Sequence, residues 1–110
     1  MSRVMKRAGI TNFANATITT IVTCPADHKL EVIAGSVQGG TTAGCFAGLL
    51  LHADGTYIWV MVEKDPVEGA ACRPFGPVVL QEGESVVAYA SAGVGGTAAA
   101  WCTYVDVFPI

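Results

Sequence analysis

Short β-branched and apolar runs, broken by a tight corner about every ten residues, constrain this chain more than any other feature. The clearest unit spans 76–90, GPVVLQEGESVVAYA. Its apolar runs, 77–80 and 85–91, flank an acidic corner at 81–84, where Gly83 accepts the positive φ that branched residues refuse. This predicts a hairpin-like pair of strands. Further strands are predicted over 17–24 (TITTIVTC), 30–37 (LEVIAGSV), 45–53 (CFAGLLLHA), 56–63 (TYIWVMVE) and 97–108. Asp54-Gly55 joins two of them as a two-residue hairpin turn. Ile18 and Ile21 break the period of two in the first run, so a bulge or a change of sheet is expected there. Pro25 ends that run because it cannot donate to a ladder. Seven or eight such strands, with no helix, predict an all-β fold: a single-domain antiparallel sandwich or jelly roll.

Two strands carry further information. In 56–63, Tyr57, Trp59 and Met61 alternate with Ile58, Val60 and Val62, so both faces are apolar. One face is expected in the core and the other, with Tyr57, Trp59 and Met61, against a partner or a loop. In the last strand, Trp101, Thr103, Val105 and Val107 alternate with Ala100, Cys102, Tyr104 and Asp106.

At 110 residues the chain has room for one core. Only 14% of residues are charged, against roughly 25% in an ordinary soluble domain, while 52% are hydrophobic. Either an assembly buries part of that apolar excess or the exposed faces are built from small neutral residues. The net charge of −3 is uneven: Arg3, Lys6 and Arg7 lie in the first seven residues, and the remainder carries three cations against nine acids. The reading is a basic N-terminal arm over 1–12 and a β-sandwich domain over 13–110. The arm is either a solvated terminus or a segment that docks on an acidic neighbour.

This profile argues against several classes. No basic stripe with interleaved aromatics marks a nucleic-acid surface. No segment reaches the roughly 18–20 apolar residues of a membrane span, and the start lacks the apolar stretch of a signal peptide. Folding in a cytoplasm, with Cys24, Cys45, Cys72 and Cys102 as thiols, is the expectation. Metal binding is not expected: Cys24 and His28 form one close pair, whereas structural zinc needs two, and His52 stands alone. Cys24 with His28 lacks the surroundings of a catalytic dyad. Glu82 and Glu84 read as a solvated corner rather than acids held across a cleft. No catalytic residue and no cofactor is assigned. Tyr57, Trp59 and Trp101 could together form a sugar-stacking platform, although a strand Trp is more often core or interface.

The order of pieces resembles a known class. TTIVTCPADHKLEVI at 19–33, Asp54-Gly55, GPVVLQEGESVVAYASAG at 76–93 and TYVDVFPI at 103–110 are similar to the small β proteins of tailed-phage virions. The resemblance covers about residues 17–110. It implies a capsid decoration (cement) protein or a neck or tail attachment, a sandwich or jelly roll and commonly a trimer. The basic arm and the four cysteines depart from the class. The functional expectation is a non-enzymatic virion protein that binds the major capsid protein or other virion proteins, with no nucleic acid or membrane partner. Arg3, Lys6 and Arg7 would engage the shell, and Tyr57, Trp59 and Met61 a sister subunit. The alternative from another class is a carbohydrate-binding module for host attachment.

Overall fold

The computed structural model describes residues 1–11, 17–38, 46–64, 73–91 and 99–109. Eight strands follow one another: β1 (Ser2–Thr11), β2 (Thr19–Thr23), β3 (Lys29–Gln38), β4 (Phe46–Ala53), β5 (Thr56–Lys64), β6 (Arg73–Leu80), β7 (Ser85–Ala90) and β8 (Ala99–Phe108). They form two four-stranded sheets, ordered β1-β8-β3-β6 and β2-β7-β4-β5, and every described pairing is antiparallel. β1 pairs with β8, β2 with β7, β3 with β6 and β4 with β5. The chain is therefore one long two-stranded ribbon rolled over itself, the all-β sandwich in its jelly-roll form.

The local signals explain most of the elements. Asp54 and Gly55, with φ of 52° and 72°, both sit in the left-handed region, the geometry whose twist matches a tight hairpin between β4 and β5. The broken period in β2 is a bulge, with the register shifting between Thr20 and Val22. A second bulge falls at Ile33 in β3 and a third at Val60 in β5.

Three expectations change. The unit at 76–90 is not a hairpin: β6 lies in one sheet and β7 in the other, so the corner at 81–84 crosses between layers. β7 is flanked on both edges by β2 and β4, which leaves no edge for β6. The corner is closed by backbone bonds from Glu84 to Gln81 (2.9 Å), from Cys24 to Glu84 (2.9 Å) and from Gly83 to Cys24 (3.0 Å). The basic arm is not an arm over most of its length. Residues 2–11 are β1, paired with β8 in an unbroken register from Ser2↔Phe108 to Thr11↔Ala99. Met61 leaves the outer face of β5. The bulge at Val60 turns it inward opposite Leu49, and at 8% exposure it belongs to the core.

The core lies between the sheets. Leu30, Val32 and Val37 of β3, Leu80 of β6 and Ala100, Cys102 and Tyr104 of β8 meet Ala47 and Leu49 of β4, Met61 of β5 and Val86, Ala88 and Ala90 of β7. Four of these are alanines, which let the sheets approach closely around a few large side chains. Leu49, fully buried in this layer, is one of those few. Leu49→Ala should lower the free energy of unfolding by about 3 kcal/mol in urea titration, through lost transfer energy and a cavity the sheet backbone cannot collapse.

Candidate functional site

The outer face of the sheet containing β5 carries an aromatic layer. Tyr57 and Trp59 lie opposite His52 and Leu50, whose neighbours Leu49 and Leu51 point to the core, so this pair of rows faces outward. His52 stacks on Tyr57 with ring centres 4.2 Å apart and planes at 7°. Trp59 meets Tyr89 of β7 edge-on at 6.3 Å. Trp59 also lies across Gly48 of β4. A Cβ at Gly48 would sit 2.8 Å from the indole and 2.2 Å from the Met61 carbonyl oxygen, so only glycine admits this ring. Val62 continues the row, and Ile58 lies at the open rim of the sandwich with 52% of its surface exposed. β5 is an edge strand, with no neighbour on its far side among the described residues.

Trp101 does not join this layer. It is on β8, in the other sheet, where it lies against Gly9 of β1 and beneath the Arg7 guanidinium at 5.1 Å. Tyr57, Trp59 and Trp101 therefore form no common platform, because the two sheets present their outer faces in opposite directions.

The three N-terminal cations are held within the fold. Arg3 reaches Glu31 of β3 at 3.2 Å, and this bond is the main reason the Glu31 carboxyl lies below its ordinary value. Lys29 approaches the same carboxylate at 3.6 Å. Lys6 donates to Asp106 at 2.8 Å, which raises the lysine above its usual value.

Asp106 is the polar centre that sequence reasoning missed. It follows Ala100, Cys102 and Tyr104 on the inward row of β8 and is only 3% exposed. His28 Nδ1 donates to its other oxygen at 2.6 Å, and the imidazole stacks on Phe108 at 4.7 Å. Burial pushes the Asp106 carboxyl up, but the Lys6 and His28 hydrogen bonds and charges outweigh it, and the group lies below the ordinary range. The inward alternation of β8 was a legible sign that this acid needs partners. Which residues would supply them was not.

Cys24 and His28 are neighbours without being a dyad. The thiol donates to the His28 carbonyl oxygen at 3.2 Å, while the imidazole is turned to Asp106. Cys24 and Cys102 are free, buried thiols, and burial pushes Cys102 up to about 11. Cys45 and Cys72 lie outside the described residues. Among the described residues, no group of three His, Cys, Asp or Glu side chains is placed to hold a metal. Glu82 and Glu84 line an open groove of about 420 Å³ with His52 and Asp54, and Glu84 caps the corner by accepting from the Gln81 N–H at 2.8 Å.

No family model and no curated protein matches the chain. Among solved structures it is similar to a chain described under "Bacillus endospore appendages form a novel family of disulfide-linked pili", with a TM-score of 0.55 and 14% sequence identity over 99% of this chain and 90% of that one. At that identity the likeness is one of fold.

Two measurements follow from this geometry. A carboxyl depressed in the fold contributes stability that is complete above its unfolded value, about 3.9, and vanishes as pH falls through the lower folded value. The native chain should therefore lose stability below about pH 4. Asp106→Asn should be less stable at pH 7 and show a flatter acid limb when thermal melts are compared across that range. Iodoacetamide at pH 7.5 should leave Cys24 and Cys102 unmodified until denaturant is added, as read by peptide mass spectrometry.

Proposed function

We propose that this chain is a structural subunit whose work is assembly, with further copies of itself and on a larger protein particle. The observation that carries the reading is the apolar edge: Tyr57, Ile58, Trp59 and Val62 are all exposed on a strand whose far side has no described partner. Four large apolar side chains on one edge strand of a charge-poor chain are a contact surface rather than a solvated one. The likeness of fold to a pilus protein supports a structural role.

At its finer level the proposal is a phage capsid decoration protein, non-enzymatic and without a cofactor. It would form a homotrimer on the major capsid protein of a virion built in the host cytoplasm. The motifs at 19–33 and 76–93 support this, and a neck or tail component is the same reading at another place on the particle. The mechanism would be mechanical. Burying roughly 300 Å² of apolar surface across a subunit boundary contributes about 7 kcal/mol before association costs, and symmetry repeats the contact around the shell.

Light scattering coupled to size exclusion should give the native chain a mass above that of one copy. The Ile58→Glu/Val62→Glu double variant, altered only at exposed positions, should run at a lower mass than the native chain with unchanged circular dichroism. A native chain that stays monomeric at every concentration tested would sink the assembly reading. Within purified particles, copies spread over the whole shell would indicate decoration, and copies confined to one vertex the neck or tail.

A further inference from the structure

We propose that β1 is an exchangeable strand: the β1 of one copy occupies the seat on β8 and β3 of a second copy and so links the two. This rests on the assembly reading for the presence of a second copy, but it does not use the β5 edge.

β1 is weakly anchored by apolar contact. Residues 1–7 are all exposed, and among the described side chains of β1 only Ala8 and Ile10 pack against the core. Val86, Val87 and Ala88 of β7, by contrast, are fully buried. What holds β1 is the backbone ladder to β8 and a set of polar ties: Arg3 to Glu31, Lys6 to Asp106 and over Phe108, and Arg7 over Trp101. Every partner in those ties lies on β8 or β3. The seat is thus complete without β1, and an identical strand from another copy satisfies each contact equally. Exchange then conserves the interactions of the closed form while joining two subunits.

Charge favours the encounter. β1 carries Arg3, Lys6 and Arg7, while the rest of the chain has three cations against nine acids, so the strand of one copy is attracted to the body of another. The occupant is specified by its charges. A foreign strand would have to bring a cation to Asp106, or leave that buried carboxylate with His28 alone.

The register supplies the test. Met5 and Val105 are direct partners across β1 and β8 and lie on the outer face, as do Arg7 and Thr103. The full chain with Met5→Cys/Val105→Cys, or independently with Arg7→Cys/Thr103→Cys, would be prepared as an equal mixture of ¹⁴N- and ¹⁵N-labelled copies. After incubation and oxidation, the crosslinked β1–β8 peptide would be read by mass spectrometry. Exchange predicts mixed-isotope crosslinks in the oligomer, appearing several-fold faster when Lys6→Met is added to release the tie to Asp106. Oligomers whose crosslinks all join peptides of a single isotope overturn the proposal and leave the assembly reading standing. A chain that is monomeric throughout, with single-isotope crosslinks only, overturns both.

Discussion

The inward row of β8 is the constraint on which much of this molecule depends. β8 lies between β1 and β3, and its inward residues run from Ala100 through Cys102 and Tyr104 to Asp106. The small side chains allow the opposite sheet to close over them. The carboxylate at the end of the row cannot be buried alone, because an unpaired charge in the interior costs several kcal/mol. Its partners come from both sides of the strand: Lys6 from β1 and His28 from the turn before β3. A single buried acid therefore links the first strand, the β2–β3 turn and the last strand, elements remote in sequence.

The outer faces solve a different problem. A chain with so few charges has to cover its sheets by other means, and two tryptophans contribute in the same way. Trp59 lies across Gly48 and Trp101 against Gly9, each ring occupying the space that a neighbouring side chain would fill. Aromatic cover over a strand glycine restores packing that the glycine by itself forfeits. The two faces then diverge. Arg7 lies over Trp101 and Arg3 with Glu31 adds charge to that sheet, whereas the β5 edge remains apolar from Tyr57 to Val62. The molecule thus sets one outer face tied by charge against another that stays apolar.

The strands after β1, the corners at Asp54-Gly55 and Gly83, the irregularity in β2 and the alternation of β8 were legible in the sequence, because each rests on local backbone preference or on a period of two. The sheet to which each strand belongs was not. Residues 76–90 carry every local sign of a hairpin, yet β6 and β7 separate into different sheets, since pairing partners are chosen by the rolling of the whole ribbon. Likewise, one unpaired residue at Val60 reversed the sidedness of Met61 relative to Trp59, an event that strict alternation cannot register.

The sequence by itself determined the class of fold, its single core, its shortage of charge and the apolar character of both faces of β5. Only the tertiary structure decided that the basic start is a strand, that Lys6 and His28 share Asp106, and that Trp101 and Trp59 face opposite ways. The physical reason is one of range. Turn geometry and side-chain alternation are settled within a few residues, whereas a buried charge and a sheet edge acquire their partners from segments about a hundred positions apart, as Lys6 and Asp106 do.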